Sequence, residues 1–195
     1  MINVDGVVLA AGRSSRMGAV NKVESVLAGR TLLDHAVTKL APQVDRLVVN
    51  GHRSICGDDA IADKIEGFKG PLVGLYSALM SDRLSSARYL MLVPCDGPFI
   101  PDNLVAALYQ EILAVDSDIA CVRYQGHAQP TFSLWHKRVT PAIEQALLVK
   151  NNGGFKPLMA SLNSVYLDWP EQRINPFFNI NNQDDLAKAE CWLCL

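Results

Sequence analysis

The chain has 195 residues, of which 49% are hydrophobic and 19% are charged, and its formal net charge at pH 7 is −2. This composition is typical of a globular protein and excludes a disordered chain. A near-neutral charge argues against a nucleic-acid-binding protein, which normally carries a basic excess. No apolar run reaches the ~18 residues of a membrane span, and the N-terminus lacks the basic region of a signal peptide, so we expect a cytoplasmic protein without membrane contact.

The first stretch with a functional signal is VVLAAGRSSRMGAVNK, residues Val7–Lys22. It begins as a buried parallel strand and then continues into small residues up to Gly12. Small residues let backbone N–H groups approach a ligand, and Arg16 and Lys22 carry positive charge. The stretch therefore predicts a polyphosphate site that holds a nucleoside triphosphate; the alternative is an ordinary strand–loop–helix with solvated arginines.

Two familiar phosphate-binding loops are absent. The pattern GxxxxGK[ST] requires a lysine after Gly18, where the chain has Ala19. The pattern GxGxxG fails because Ala10 and Ser14 occupy two of its glycine positions. A P-loop NTPase and an NAD-dependent enzyme are therefore disfavoured.

Apolar strand-like runs alternate with helical patterns along the chain. Strands are predicted at Gly6–Leu9, Arg46–Asn50, Tyr89–Val93, Ile119–Val122, Thr131–Leu134 and Val165–Asp168. Helices are predicted at Thr31–Leu40, Asp58–Lys64, Leu72–Ser81, Pro101–Ala114, Arg138–Lys150, Lys156–Leu162 and Gln183–Trp192. This alternation predicts one α/β domain over residues 1–195: a three-layer α/β/α sandwich with a Rossmann-like, mostly parallel sheet, in which Thr131–Leu134 runs antiparallel.

Asp96 follows the third predicted strand in the sequence LMLVPCDGP. Ligands of open α/β sheets bind beyond the carboxyl ends of the strands, so Asp96 and the first loop are expected at one edge. Mg²⁺ prefers carboxylate and phosphate oxygens. We therefore interpret Asp96 as a Mg²⁺ ligand, with a turn-capping aspartate as the alternative.

Other polar groups at the predicted edge allow two interpretations each. Asn50 ends the second strand and either hydrogen-bonds a base or ribose or forms a turn. The motif GPLVGL at Gly70–Leu75 either offers helix N–H groups to a ligand or is a plain helix N-terminus. Asn179 and Asn181 either bind a polar cofactor or belong to the cap of the last helix, for which Asn182 alone suffices.

Six motifs in order make the chain resemble the molybdenum cofactor guanylyltransferase family along nearly its whole length. They are LAAG-xxx-RMG-xxx-K at Leu9–Lys22, VVN at Val48–Asn50, GPLVGL at Gly70–Leu75, PCDGPFIP at Pro94–Pro101, QPTFSLW at Gln129–Trp135 and FFNINNQDDL at Phe177–Leu186. The first and fourth are shared with other nucleotidyltransferases, whereas GPLVGL, QPTF and FxNIN point to the guanylyl branch.

The resemblance implies an enzyme that joins GMP from GTP to the molybdopterin of the molybdenum cofactor and releases pyrophosphate. Its substrates would be GTP and molybdopterin, its metal Mg²⁺, and its partners other molybdenum cofactor biosynthesis proteins or recipient molybdoenzymes. In this hypothesis the terminal phosphate of molybdopterin attacks the α-phosphorus in line, and Arg16, Lys22 and Asp96 act on the phosphates.

The resemblance also implies the remaining site residues. Leu9, Ala10, Ala11 and Gly12 would line the nucleotide, Lys22 would bind its phosphates, Asn50 and Asp63 would contact the nucleoside, Asp96 would hold the metal, and Asn179 and Asn181 would meet molybdopterin.

Departures from the family pattern keep two alternatives open. Ala11 replaces the second glycine of the usual LAGG and resembles the cytidylyl branch, which favours a cytidylyltransferase that uses CTP. Asn21 stands where aspartate is usual, and Val23 and Glu24 replace glycine and leucine, which favours a non-catalytic nucleotide-binding module. Gly97 stands where threonine is common.

Overall fold

A six-stranded sheet forms the centre of the computed structural model, which describes residues 3–11, 22–57, 60–67 and 70–193. The strands are β1 (Val4–Leu9), β2 (Val26–Leu27), β3 (Arg30–Thr31), β4 (Leu47–Asn50), β5 (Tyr89–Pro94), β6 (Ile119–Tyr124), β7 (His127–His136) and β8 (Ser164–Trp169). The main sheet has the order β4-β1-β5-β7-β6-β8, and β2 and β3 form a separate hairpin.

Helices cover both faces of this sheet. They are α1 (Leu32–Leu40), α2 (Arg53–Cys56), α3 (Pro71–Leu79), α4 (Leu104–Ala114), α5 (Thr140–Leu148), α6 (Phe155–Met159) and α7 (Gln183–Leu193). One buried core joins α1 and α4 to one face, and a second joins α3, α5 and α6 to the other. The predicted three-layer sandwich is therefore confirmed. Within the described ranges, no helix has the length and apolar character needed to cross a membrane.

The predicted antiparallel strand is also confirmed. Within the described main sheet, β7 pairs antiparallel with β5 and β6, while the other pairings are parallel. Gln125 and Gly126 join β6 to β7 with φ angles of 48° and 76°. Because a two-residue turn can connect only antiparallel strands, this turn dictates the direction of β7.

The order of the strands places a topological switch point at β1. The chain passes from β1 to β4 by α1 on one face and from β4 to β5 by α3 on the other. Because β1 lies between β4 and β5, the direction of winding reverses there. Open α/β sheets bind their ligands at such a switch point, so we expect the site where β1 and β5 end.

The prediction of a helix over Asp58–Lys64 is wrong for the part of this range that the structure describes. Residues 60–67 are not helical, and a short helix lies earlier, at Arg53–Cys56. Ile61 instead forms a parallel bridge with Asn50, because its N–H donates to the Val49 carbonyl at 2.8 Å. Pairing with the edge of β4 replaces the local helix. The β2–β3 hairpin was not predicted, because its turn residues Ala28 and Gly29, with φ angles of 49° and 79°, lack the Asn-Gly or Asp-Gly pair that usually indicates such a turn.

The other predicted strands and helices are confirmed, with ends that shift by at most four residues. Thr31 begins α1 as expected: its hydroxyl accepts the Asp34 N–H at 3.1 Å, and the Asp34 carboxylate accepts the Thr31 N–H at 3.2 Å. This reciprocal pair is a capping box, which satisfies two donors at the helix start.

A buried ion pair stabilises the amino end of the sheet. Asp5 in β1 is fully buried and accepts a hydrogen bond from Lys137 Nζ at 2.8 Å. Its carboxylate also accepts the Ser85 N–H at 3.0 Å and the Ser85 hydroxyl at 2.7 Å. These bonds tie β1 to the segment before β5 and to the residue after β7, far from the carboxyl edge.

We expect Lys137→Met to lower the free energy of unfolding by about 3 kcal/mol at pH 7, because it leaves a buried carboxylate without its cation. Urea denaturation measures the change. The matched control is Lys39→Met, since Lys39 Nζ lies 2.9 Å from Asp102 in an exposed pair. The control should cost less than about 1 kcal/mol. Equal losses in the two variants would contradict a stabilising role for the buried pair.

Candidate functional site

The carboxyl ends of β4, β1 and β5 bring the predicted site segments together. In the sheet register, Leu9 lies between Asn50 and Pro94. The Ala10 N–H donates to the Asn50 carbonyl at 2.7 Å, and the Cys95 N–H donates to the Leu9 carbonyl at 3.0 Å. The backbone of the first loop therefore starts directly beside Asn50 and the Asp96 segment.

Asp96 lies half-buried at this edge and is joined to the predicted molybdopterin-binding segment. Its backbone carbonyl accepts the Ile180 N–H at 2.9 Å. A Cβ built on Gly97 would lie 3.4 Å from Asn179 Oδ1 and only 2.6 Å from the Phe132 ring. Asn179 is therefore held next to the Asp96 turn. Glycine at position 97 leaves room for the buried Phe132 ring, with which the side chain of any larger residue would collide.

Asn50 and Asp63 contact each other although thirteen residues separate them in sequence. Asn50 is buried, with 1% of its surface exposed, whereas Asp63 is exposed. The Asn50 amide Nδ2 donates to Asp63 Oδ1 at 2.9 Å and to the Ile61 carbonyl at 3.1 Å. The structure thus joins the two residues that were expected to contact the nucleoside.

Gly74 lets helix α3 approach the ends of β1 and β4 closely. A Cβ at this position would lie 2.3 Å from Asn50 Oδ1 and 2.7 Å from Leu9 Cδ2. The sequence reasoning did not single out this residue. A signal was present, because glycine within a helix costs about 1 kcal/mol relative to alanine and needs a packing reason.

The N-terminus of α3 uses its first donors within the protein. The Leu72 N–H donates to the Gly153 carbonyl at 3.2 Å, and the Val73 N–H donates to the Gly70 carbonyl at 3.3 Å. A Cβ on Gly70 would lie 2.6 Å from the Gly153 oxygen, so the α5–α6 loop packs tightly on this end. These contacts favour the plain helix N-terminus over a ligand contact for the start of GPLVGL.

The segment Asn179–Asn182 leads into helix α7. Asn182 Oδ1 accepts the Asp185 N–H at 2.8 Å, which confirms Asn182 as the helix cap. The Asn181 N–H donates to Asp185 Oδ2 at 2.8 Å, and Asn181 Nδ2 donates to the Asn179 carbonyl at 3.1 Å. Asn179 Oδ1 is buried and accepts no hydrogen bond from the residues that the structure describes.

An aromatic cluster anchors this segment to the sheet. The Phe177 ring contacts those of Tyr124, Phe132 and Trp169, with centroids 5.7, 5.1 and 5.5 Å apart. These partners come from β6, β7 and β8, and all three contacts have the edge-to-face geometry that aromatic rings prefer. Phe177 thereby holds the chain two residues before Asn179.

Part of the predicted site lies outside the described residues. Gly12 and Arg16 fall there, and so does the side chain of Lys22, whose backbone begins a short 3₁₀ turn at Lys22–Glu24. Ala11 is the last described residue before this gap. The place of Gly12 in the loop that lines the nucleotide and the action of Arg16 and Lys22 on the phosphates stay predictions.

The donors at this edge suit Mg²⁺ better than a metal ion whose ligands all come from protein side chains. Within the described part of the chain, no group of three or more His, Cys, Asp or Glu side chains could hold a metal ion. Mg²⁺ is commonly bound by one or two carboxylates and completes its shell with water and phosphate oxygens. The half-buried Asp96 carboxyl is therefore a suitable donor.

Cys56 is a second thiol near this edge, besides Cys95 in the Asp96 segment. A Cβ on Gly51 would lie 2.6 Å from the Cys56 sulfur. Burial raises the pKa of the Cys56 thiol above its usual value of 9.0. The thiol is therefore protonated at neutral pH and is unsuited to act as a nucleophile.

Comparison with known proteins agrees with this geometry. A family model described as a MobA-like NTP transferase domain matches residues 6–165. The chain belongs to this family. Two of its MobA-like relatives are named molybdenum cofactor guanylyltransferase. The protein from Bradyrhizobium sp. (strain ORS 278) is 36% identical, and the match covers 96% of this chain and 92% of that protein. The protein from Vibrio cholerae is 34% identical, and the match covers 93% of this chain and 89% of that protein.

Solved structures show the same MobA-like fold. Molybdopterin-guanine dinucleotide biosynthesis protein A from Archaeoglobus fulgidus superposes with a TM-score of 0.81 at 22% identity, over 97% of this chain and 98% of that one. The 2-C-methyl-D-erythritol 4-phosphate cytidylyltransferase from Francisella tularensis superposes with a TM-score of 0.69 at 17% identity, over 97% and 99%.

We expect Gly74→Ala to lower the free energy of unfolding by about 1–3 kcal/mol, because the added methyl group collides with Asn50 and Leu9. This loss exceeds the ~1 kcal/mol that alanine gains in helix propensity. Gly154→Ala is the control, because Gly154 has a φ of −92° and its Cβ would meet no atom closer than 3.5 Å. Urea denaturation should show a change below about 0.5 kcal/mol for the control. A stabilised Gly74→Ala protein would contradict the close contact.

Proposed function

We propose that this protein is a molybdenum cofactor guanylyltransferase, which joins GMP from GTP to the molybdopterin of the molybdenum cofactor and releases pyrophosphate. The main support is the match to proteins of that name over more than nine-tenths of this chain. The geometry supports this proposal, because the start of the first loop at Ala10, the Asp96 segment and the Asn50–Asp63 pair lie at the switch point of the sheet.

Each part of the edge has a place in this proposal. Leu9, Ala10, Ala11 and Gly12 line the nucleotide, Asn50 and Asp63 serve its nucleoside part, Lys22 and Arg16 neutralise its phosphates, and Asn179 and Asn181 meet molybdopterin. Asp96 would hold Mg²⁺, which offsets the negative charge of the phosphates when it is bound. The bond from the Ile180 N–H to the Asp96 carbonyl then brings the two substrate halves side by side.

The reaction needs no covalent intermediate on the protein. An oxygen of the molybdopterin phosphate forms a bond to the α-phosphorus of GTP, and the bond from that phosphorus to the bridging oxygen breaks. Pyrophosphate leaves with the electron pair. The protein's part is to hold two anions in line and to offset their repulsion, which is a matter of positioning and electrostatics.

The proposal extends to the setting of the reaction. The whole chain acts as one nucleotidyltransferase domain in the cytoplasm, where it receives molybdopterin from other cofactor biosynthesis proteins or passes the product to molybdoenzymes. The match of the family model to residues 6–165 supports a single catalytic unit.

Ala11 favours a second candidate, a cytidylyltransferase of the same fold. One methyl group in a close pocket is worth only ~1–3 kcal/mol, so the guanylyl proposal is preferred. Competition between GTP and CTP, with analysis of the dinucleotide product, separates the two. A cytosine-containing product would replace the guanylyl proposal. A protein that binds GTP with Mg²⁺ but releases no pyrophosphate would be a nucleotide-binding module instead.

We expect Asp96→Ala to lower the rate of Mg²⁺-dependent pyrophosphate release at least about 100-fold, because one preorganised contact to the reacting phosphates is lost. The assay uses GTP, Mg²⁺ and molybdopterin, with circular dichroism as a check on folding. Asp102→Ala is the matched control, because Asp102 is exposed and pairs with Lys39. Turnover of Asp96→Ala equal to that of the control would remove Asp96 from the mechanism.

Lys22→Ala should lower turnover by a similar factor of about 100, because a positive charge on the phosphates is lost. The same assay measures it, with Lys39→Ala as the control for the loss of an exposed lysine. Near-normal activity of Lys22→Ala would show that the lysine is an ordinary surface residue.

A further inference from the structure

We infer that Phe132 is a positioning residue for the proposed reaction: its buried ring holds the Asp96 turn and the Asn179 segment at the separation that the transfer needs. This inference rests on the proposed function. Phe132 lies in the QPTFSLW stretch of β7, to which the proposed mechanism gives no role. The ring has no exposed surface, so its action on the substrates passes through the two segments that it contacts.

The tip of the Phe132 ring lies against the residue that follows Asp96. A Cβ built on Gly97 would lie 2.6 Å from the ring atom Cζ and 3.2 Å from Cε1, so the ring occupies the space of a side chain at this position. The φ angle of Gly97 lies outside the left-handed region, and the backbone itself would therefore accept alanine. The ring thus limits how closely the Asp96 turn approaches β7.

The same ring holds the Asn179 segment through Phe177. The centroids of the two rings are 5.1 Å apart with an interplanar angle of 70°, the edge-to-face arrangement that aromatic rings favour. Phe177 is 2% exposed and lies two residues before Asn179. A Cβ on Gly97 would also lie 3.4 Å from Asn179 Oδ1, so the two segments meet at the Phe132 ring.

The strand that carries Phe132 is fixed on both sides. The next residue, Ser133, pairs with Leu92 of β5 and with Cys121 of β6. The ring belongs to the core that joins α1 and α4 to the sheet, and side chains in such a core are close-packed. A ring held in this way acts as a rigid spacer between the segments that rest on it.

The spacer works together with a backbone hydrogen bond. The Ile180 N–H donates to the Asp96 carbonyl at 2.9 Å, which joins the two segments at a second point. Without the ring tip the segments can turn about that bond, and in a reaction between two phosphates a misplacement of ~1 Å costs about 100-fold in rate. GTP binding depends less on this spacing, because the sheet ladder joins Ala10 to Asn50.

The first test is Phe132→Leu, which keeps the base of the side chain and removes the ring atoms that lie against Gly97. We expect kcat for pyrophosphate release with GTP, Mg²⁺ and molybdopterin to fall about 10- to 100-fold, while the dissociation constant of GTP stays within about 3-fold. Phe155→Leu is the matched control, because Phe155 is buried on the opposite face of the sheet against Trp135. The control should keep kcat within about 3-fold of wild type.

Amide hydrogen exchange tests the same spacing without any substrate. The Ile180 N–H should exchange about 10-fold faster in Phe132→Leu than in Phe155→Leu, because the ring no longer opposes local opening of the bond to the Asp96 carbonyl. Circular dichroism checks that both variants fold. Phe132→Met takes the place of the leucine variant if that protein does not fold, because methionine fills irregular gaps but lacks a rigid ring.

A compensating substitution tests whether the ring and residue 97 share one space. Gly97→Ala alone adds a methyl group where the ring lies and should lower kcat about 10-fold. The double variant Gly97→Ala/Phe132→Leu should regain kcat to within about 3-fold of wild type, because the methyl group then fills part of the space that the ring atoms leave.

Three outcomes would overturn the inference. The first is wild-type kcat in Phe132→Leu, and the second is equal changes in kcat, GTP binding and Ile180 exchange in Phe132→Leu and Phe155→Leu, which would make the ring merely structural. The third is additive losses in the Gly97→Ala/Phe132→Leu protein. A wild-type protein that releases no pyrophosphate would overturn the proposed function as well, whereas failure of the inference alone leaves wild-type turnover intact.

Discussion

Two backbone hydrogen bonds hold the ends of β4, β1 and β5 in register: the Ala10 N–H donates to the Asn50 carbonyl, and the Cys95 N–H donates to the Leu9 carbonyl. Because these bonds extend the sheet ladder beyond the last strand residues, the chain segments that follow must leave from the same edge. Ala10 at the start of the first loop, the Asn50–Asp63 pair and the Asp96 turn are neighbours for this reason. A shift of one residue in the register would turn every side chain to the opposite face.

Two further segments reach this edge from elsewhere in the chain, and each is held by contacts that are not local. The Asn179 segment is anchored by the aromatic contacts of Phe177 and by the bond from Ile180 to Asp96. The Asp63 segment is anchored by the edge of β4 and by helix α3. Glycine at position 74 lets helix α3 pack against Asn50, and glycine at position 97 leaves room for the Phe132 ring beside the Asp96 turn, because a Cβ at either position would collide with these buried side chains.

The buried ion pair and the proposed site lie at opposite ends of the sheet. The buried pair of Asp5 and Lys137 ties the amino ends of the structure together, whereas the carboxyl edge carries the exposed Asp63 and the half-buried Asp96. The charged groups at the carboxyl edge keep contact with solvent. The amino end can bury its charges because they satisfy each other and are hydrogen-bonded to Ser85.

The amino-acid sequence by itself determined the layers of the fold, the antiparallel strand near Thr131–Leu134 and the caps at Thr31 and Asn182, because these depend on hydrophobic periodicity and on side chains three residues apart. The resemblance of its motifs also indicated the site residues. Only the tertiary structure decided that residues 60–67 are not helical and that Asn50 is enclosed. The acceptors of the hydrogen bonds from residues 60–67, the Val49 carbonyl and the Ser77 hydroxyl, lie in other parts of the chain, and so does Gly74, which packs closely on Asn50. Local propensity contains no information about such partners, so it predicts the element that the isolated segment favours rather than the one that its neighbours impose.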